Sequence, residues 1–202
     1  MSGQLFATAN GAQTMFLNRL TSDGAILDFR KDGTTVGSIG TFATDITIGK
    51  TGAGLRFEDS TQTIRPHNIS TNTGNDANVT LGSSDTRFKD IYRSGSTYST
   101  SDRNMKQDIR ELTDAERNVA VACKGLLKAF RFIDAVEKDG DDANIHFGVI
   151  AQELAEAFEA EGLDANDYQV YKSATITDED DNEQTRLNVC YENLLAFIIA
   201  AL

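Results

Sequence analysis

The first half of the chain alternates apolar and polar residues in short runs that end at turn-forming residues. Residues 25–30 and 35–40 flank Lys31-Asp32-Gly33, and Asp-Gly between two alternating runs is the strongest short-range signal of a β-hairpin. Residues 45–49, 78–82 and 87–92 alternate in the same way. Strict alternation places the apolar side chains on one face of a strand. Residues 1–100 are therefore predicted to be mainly β.

These predicted strands carry few large apolar side chains. A segment of this length with so little Leu, Ile, Val and Phe gains little burial against the entropy of ordering it. Several copies that share one core, strand against strand around a common axis, would resolve this conflict. We therefore expect a thin, intertwined oligomeric stalk, and the alternative is a small monomeric β-sandwich.

The second half of the chain changes to helical periodicity. Asp114, with further acids in the turn that follows it, is typical of a helix N-cap. Residues 130–134 then alternate and predict a strand, and residues 137–144 predict a charged loop. After the predicted N-cap, apolar residues recur at helical spacing and predict one apolar stripe on the helix, formed by Val119, Ala122, Leu126, Leu127 and Phe130.

Residues 145–150 are predicted to enter a second helix. It places Ile150, Leu154 and Phe158 on one side, with glutamates opposite. Gly162 stands where such a helix is expected to end, because glycine is the preferred residue just past a helix C-terminus.

The remaining residues predict a hairpin and a last helix. Residues 168–171 and 174–177 predict strand, and residues 185–191 predict the returning strand. Residues 191–202 are apolar nearly all round, so we expect this helix to be buried against another surface, with copies of itself as one candidate.

The acidic run 178–183 lies between the two strands of this hairpin. It lacks the glycine and the terminal glutamate of a calcium-binding loop, so we interpret it as a solvated turn. We predict no metal site and no cofactor.

Charge divides the chain near residue 100. Residues 1–100 carry nine acidic and nine basic side chains, whereas residues 101–202 carry 22 acidic and 10 basic ones, which accounts for the net charge of −12. Twelve of the sixteen glycines also lie in the first half. We therefore predict two domains, 1–100 and 101–202.

The composition also argues against several classes of partner. The acidic excess disfavours the phosphate backbone of nucleic acid and anionic membrane surfaces. No apolar run approaches the roughly 20 residues needed to span a bilayer, and the N-terminus lacks the features of a signal peptide. Cys123 and Cys190 show no metal-ligand spacing, so two reduced thiols are expected.

The candidate chemistry lies at the boundary between the two halves. Residues 101–109, SDRNMKQDI, are called the motif segment below, and they place Lys106 five residues after Ser101. Spacing alone is weak support, since Ser84 and Lys89 share it. The position of Ser101 at the boundary, and the sequence that follows it, distinguish the first pair.

Three blocks of sequence carry a family resemblance. They are the motif segment, residues 147–154 (FGVIAQEL) and residues 189–196 (VCYENLLA), followed by residues 199–202 (IAAL). In this order, residues 101–202 resemble the intramolecular chaperone domain of phage tailspikes and tail fibres, the S74 peptidase family named after endosialidase tailspikes. The Gly- and Thr-rich first half resembles the distal shaft of a phage fibre.

The resemblance implies a trimer whose C-terminal domain directs folding of the β-stranded shaft and then cuts itself off. The expected cut falls between Thr100 and Ser101, and the required serine–lysine pair maps onto Ser101 and Lys106. The expected fold class is an intertwined trimeric β shaft followed by an α+β domain with long helices. The expected location is the virion tail fibre, with synthesis in the host cytoplasm and release of the chaperone domain after assembly.

The proposed pair is chemically coherent. A serine hydroxyl needs a neighbouring base to act as a nucleophile, and a partly desolvated lysine can serve as that base. On a continuous helix, residues five apart point about 140° away from each other. Ser101 and Lys106 therefore meet only if the chain turns between them, and we hypothesise that trimerisation makes that turn and desolvates Lys106.

His146 is a candidate supporting residue just before the second block. It could orient Lys106 or polarise the scissile carbonyl, whereas the simpler interpretation is a packed histidine at the end of a strand.

Three functions compete at this stage. The first is the self-releasing chaperone at the end of a fibre whose shaft contacts a host cell-surface receptor. The second is a structural or receptor-binding fibre tip that retains a non-cleaving assembly domain. The third, an enzyme acting on host polysaccharide, needs paired carboxylates in a cleft, for which the first half offers no obvious place.

Overall fold

The computed structural model describes residues 5–177 and 181–201. The chain divides into two compact units, Met1–Leu81 and Gly82–Leu202. The predicted boundary at residue 100 falls inside the second unit and stays a prediction.

The first unit contains one antiparallel sheet in which the strands follow each other in chain order. Its six strands are β1 (Gly24–Lys31), β2 (Thr34–Phe42), β3 (Asp45–Lys50), β4 (Ala53–Glu58), β5 (Thr63–Asn68) and β6 (Thr73–Gly74). The hairpin turn predicted at Asp32-Gly33 joins β1 to β2, and residues 45–49 lie in β3 as predicted. A single sheet replaces the two packed layers that a β-sandwich requires.

Two predicted strands are wrong. Residues 78–82 and 87–92 form no strand, and Leu81, Phe88 and Ile91 are exposed by 72%, 61% and 71%. An alternating run becomes a strand only when a neighbour accepts its backbone hydrogen bonds, and within the described residues no strand lies alongside these two.

In the sheet of the first unit, the polar face is buried and the apolar face is exposed. Cross-strand pairs join Ile46 to Phe57 and Ile48 to Leu55, and Phe57 also faces Ile64 on β5. These five side chains form the apolar row, and their exposed fractions lie between 38% and 63%. The alternate residues on the other face are polar and buried, namely Ser38, Asp45, Thr47 and His67.

An ion-pair network holds the covered polar face together. Arg56 contacts Asp45 at 2.6 Å and Glu58 at 2.9 Å, and its guanidinium lies 4.5 Å from the centre of the Phe42 ring. Arg65 adds a second ion pair to Glu58 at 2.8 Å. The polar face is therefore paired within one chain, whereas the apolar row is not covered.

The second unit contains four helices and two small antiparallel sheets in its described residues. The elements are α1 (Asp114–Cys123), β7 (Leu127–Phe130), α2 (Ile133–Asp139), β8 (His146–Val149), α3 (Ala151–Ala160), β9 (Tyr171–Thr177), β10 (Glu183–Val189) and α4 (Tyr191–Ile199). Strand β7 pairs with β8, and β9 pairs with β10.

The predicted helices need local corrections. The N-cap of α1 is Thr113 rather than Asp114, because its side chain accepts a hydrogen bond from the Glu116 N–H. Helix α1 ends at Cys123, and the apolar stripe continues as β7 because Leu127 pairs with Val149 on β8. Residues 133–139 form α2 instead of the predicted strand end and charged loop.

The second long helix is confirmed with a later start. Residues 146–149 form β8, and α3 then carries the predicted buried side, with Leu154 and Phe158 fully buried. Gly162 adopts a φ of +73°, and the Leu163 N–H donates to the Phe158 carbonyl. This is the backbone arrangement that glycine allows at a helix end, as predicted.

The hydrophobic core of the second unit lies between α1, α3 and α4. Phe158 stacks against Phe197 of α4, with 5.9 Å between ring centres, and Leu194 is 1% exposed. Other faces of α4 stay open in one chain, since Leu195 and Ile199 are exposed by 59% and 65%. The expectation that this helix packs against another surface is thus met on one side only.

The predicted hairpin near the C-terminus is confirmed as β9 and β10. Residues 178–180 of its acidic turn lie outside the described residues.

Candidate functional site

Ser101 and Lys106 are in direct contact. The Lys106 Nζ donates a hydrogen bond to the Ser101 Oγ at 2.7 Å, and both side chains are exposed. Among the described residues, the same spacing at Ser84 and Lys89 makes no such bond, and the Ser84 carbonyl instead accepts from Arg186 at 2.6 Å. The structure thus separates two pairs that spacing alone could not.

A short 3-10 turn at Arg103–Met105 brings the pair together. The Asp102 carboxylate caps it, accepting from the Asn104 N–H at 2.9 Å, and the Lys106 N–H donates to the Arg103 carbonyl at 3.2 Å. The turn forms in a single chain, so the hypothesis that trimerisation creates it is wrong. Local hydrogen bonds within the motif segment form the turn without a partner chain.

The expected cleavage position is accessible. Thr100 and Ser101 both lie exposed in a stretch without regular secondary structure. The Ser101 hydroxyl adjoins the peptide bond that it would attack, because nucleophile and scissile nitrogen belong to one residue. Such exposed, irregular backbone is where chain cleavage is generally tolerated.

His146 lies apart from these contacts, at the first position of β8. Its ring contacts Phe132 edge-on, with 4.9 Å between ring centres, and stacks on Phe130 at 6.0 Å. These contacts are those of a packed histidine at the end of a strand. A supporting role in catalysis stays a prediction.

Glu116 is a buried residue that the sequence analysis missed, and it contacts Arg110, the first residue after the motif segment. Its residue surface is 2% exposed, and its carboxylate accepts two hydrogen bonds from Arg110, both at 2.7 Å. It also accepts from the Thr113 N–H at 2.7 Å and from the Tyr168 hydroxyl at 3.1 Å. The sequence signal was the Thr-x-x-Glu spacing of a capping box, which the assignment of Asp114 as the N-cap obscured.

These contacts keep Glu116 ionised. The Arg110 guanidinium lowers the pKa of Glu116 from 4.5 to about 2. Burial acts in the opposite direction, and the hydrogen bonds from Thr113 and Tyr168 lower the pKa further. The same ion pair raises the pKa of Arg110. Burial, followed by the hydrogen bond to Glu116, raises the pKa of the Tyr168 hydroxyl. At neutral pH the cluster is therefore a fixed carboxylate–guanidinium pair.

The second and third sequence blocks meet through a tyrosine and a glycine. The Val149 N–H donates to the Tyr191 hydroxyl at 3.2 Å. A Cβ added to Gly148 would overlap the Tyr191 hydroxyl oxygen. Gly148 thus leaves room for a close approach between β8 and the start of α4.

No group of three or more His, Cys, Asp or Glu side chains suited to a metal ion occurs among residues 5–177 and 181–201. Over the same residues, no helix is both long and apolar enough to cross a membrane.

Family comparison places the site at the start of a known domain. Residues 101–163 match the Peptidase_S74 family, described as chaperone of endosialidase. Ser101 is thus the first residue of the matched segment.

Two curated phage proteins are similar to part of this chain. The probable tail spike protein of Klebsiella phage 0507-KN2-1 is 37% identical over 101 residues, or 48% of this chain. Depolymerase 1, capsule K3-specific, of Klebsiella phage KP32 is 31% identical over 110 residues, or 54% of this chain. The chain spans only 8% and 12% of the length of these two relatives.

A solved structure shares the fold. The carboxy-terminal domain of the bacteriophage T5 L-shaped tail fibre, with its intramolecular chaperone domain, aligns with a TM-score of 0.69 and 18% identity. The alignment covers 99% of this chain and 60% of that one. The predicted resemblance to the S74 chaperone domain is confirmed over residues 101–163. The predicted order of a mainly antiparallel β first half and a mixed α/β second half is also confirmed.

Proposed function

We propose that this chain is the distal part of a phage tail fibre that releases its own chaperone. In this proposal, residues 101–202 assist homotrimerisation and folding of the β-stranded shaft, residues 1–100, and then cut the Thr100–Ser101 bond. The observation that carries the proposal is the 2.7 Å contact between Lys106 Nζ and Ser101 Oγ at the first residue of the matched domain.

The proposed reaction needs no cofactor. Lys106, once it has lost its own proton, accepts the Ser101 hydroxyl proton while Oγ attacks the Thr100 carbonyl carbon. The bond from that carbon to the Ser101 nitrogen breaks, and the nitrogen takes up a proton and becomes an amine. Thr100 is then held as an ester on Oγ. Water hydrolyses the ester, which frees the Thr100 carboxylate and restores the serine hydroxyl.

Assembly would control the timing of this reaction. Lys106 is exposed in a single chain, where water stabilises its charged form. A partner chain that covers the motif segment would withdraw that water and favour the neutral amine. The turn is present before assembly, so desolvation is the change left for trimerisation to make.

The apolar row supports association of several copies. Five large side chains that lie 38–63% exposed on one face of a sheet form a continuous surface that an isolated soluble domain would cover. Identical chains can cover it mutually around a common axis, which gives the homotrimeric shaft. The assembled shaft would stand in the virion tail and contact the host cell surface.

Intact mass of the purified protein under denaturing conditions tests self-cleavage. The parent is expected to give two fragments that meet at Thr100–Ser101, whereas Ser101→Ala and Lys106→Ala stay whole. Ser84→Ala and Lys89→Ala are matched controls with the same spacing, and both are expected to be cut like the parent. Hydroxylamine added during cleavage should convert the Thr100 end into a hydroxamate if the ester forms.

A parent chain that stays whole while native mass spectrometry shows it assembled would contradict the protease assignment. The C-terminal half would then be a retained assembly domain on a structural or receptor-binding tip.

A further inference from the structure

The first side-chain contact between this part of the chain and the core of the second unit comes after the motif segment, at Arg110. All side chains of the motif segment are exposed, and the side-chain hydrogen bonds described for residues 101–109 stay within the segment. Such a segment keeps the turn that joins Ser101 to Lys106. Its local hydrogen bonds do not fix where that turn lies relative to α1 and the core.

Arg110 supplies the first side-chain anchor after the motif segment. Its guanidinium reaches across six residues to α1 and makes two parallel hydrogen bonds to Glu116. Its Nη1 also donates to the Glu111 carbonyl at 2.9 Å. A bidentate guanidinium–carboxylate pair fixes direction as well as distance. The chain therefore leaves the motif segment at a defined position and orientation.

Glu116 is itself fixed from several sides. Thr113 holds it through both its backbone N–H and its hydroxyl, at 2.7 and 3.0 Å. Tyr168 holds it from the segment before β9, and the Tyr168 ring packs on the core residue Phe158 with 4.8 Å between ring centres. The contacts thus run without a gap from the hydrophobic core to Arg110.

We propose that Glu116 is a positioning residue for self-cleavage, acting through Arg110 on the placement of the Ser101–Lys106 turn. This inference rests on the proposed function. A misplacement of reacting groups by about 1 Å can slow a reaction roughly 100-fold. Loss of the anchor is therefore expected to slow the cut about 10- to 100-fold while the domain still folds and assembles.

The variants separate positioning from folding. Glu116→Gln keeps the shape of the side chain and removes its charge, whereas Arg110→Gln removes the partner at a position whose side chain is 58% exposed. Arg110→Lys keeps the positive charge and is the conservative rescue. Arg117→Gln is the matched control on the same helix, because its ion pair to exposed Glu111 is long, at 3.8 Å.

The first readout is the rate of cleavage per assembled molecule, with assembly measured by native mass spectrometry. Glu116→Gln and Arg110→Gln should both be slow, the double variant should be no slower than either, and Arg110→Lys should recover part of the rate. Arg117→Gln should match the parent. Assembled Glu116→Gln or Arg110→Gln that is cut at the parent rate would overturn the inference.

The second readout does not depend on cleavage. In the Ser101→Ala background, NMR order parameters of the backbone of residues 102–109 should be lower with Glu116→Gln or Arg110→Gln than without them, because the intact turn then moves relative to the core. Unchanged order parameters would overturn the inference even if both variants are cut slowly. An assembled parent that is never cut overturns the proposed function instead, and the inference with it.

Discussion

Ile48→Thr tests whether the apolar row is buried between copies of the chain. Ile48 lies on β3 between Ile39 of β2 and Leu55 of β4, and it keeps 41% exposure in a single chain. Full burial of an isoleucine side chain contributes about 1.5–3 kcal/mol, so covering the remaining surface is worth about 1 kcal/mol per chain. Three chains lose about 3 kcal/mol together, which is roughly a 100-fold weaker association. Threonine keeps the β-branched shape that a strand favours, so the sheet itself should survive.

Sedimentation equilibrium in the Ser101→Ala background would measure this loss on uncut chains. Val36→Thr is the matched control, because Val36 on β2 has a similar exposure of 42% but lies outside the apolar row, at the irregularity in the pairing of β1 with β2. If Ile48→Thr and Val36→Thr associate as tightly as the parent, the apolar row is not an interface between copies. A substitution on an open surface would then change stability by no more than about 0.5 kcal/mol.

Two further predictions concern the second unit. The folded-state pKa of Glu116 lies below its ordinary value, so its stabilisation of about 2–3 kcal/mol is present above about pH 4.5 and is lost as the pH falls towards 2. The free energy of unfolding in urea should therefore fall less steeply between pH 5 and 3 in Glu116→Gln than in the parent, and parallel curves would contradict the assignment. Gly148→Ala should lower the free energy of unfolding by about 1–3 kcal/mol through overlap with Tyr191. Gly148→Ala should cost less in a Tyr191→Phe background than in the parent, and equal costs in the two backgrounds would show that the overlap with the hydroxyl is not the cause.

Local chemistry made parts of the fold predictable from the sequence. Asp32-Gly33 specified its hairpin, and Gly162 marked the end of α3, because each position depends on a few neighbouring residues. The failures came where pairing partners decide the structure. Residues 78–82 alternate like a strand, but among the described residues no strand lies beside them. The apolar stripe at Leu127 is part of β7 because Leu127 pairs with Val149 of β8.

The candidate site was predictable in part for a similar reason. Ser101 and Lys106 stand in a local motif whose family resemblance is read directly from the sequence. Glu116 depends on Tyr168, which is 52 residues away along the chain, and no pattern within one helix indicates that contact. The Thr113 capping box was the only local trace of it.

The uncovered apolar row bears on how the protein is made. Translation proceeds from the N-terminus, so the sheet of the first unit leaves the ribosome before the second unit is complete. Synthesis at about 5–20 residues per second separates the completion of the two units by roughly 5–25 s. During that interval the apolar row of the nascent sheet is exposed to every neighbouring polypeptide. The ion pairs of Arg56 hold the polar face in one chain, so the strands can keep their register without a partner chain. If the chain forms the proposed homotrimer, polysomes would favour its assembly over aggregation, because identical chains emerge there side by side.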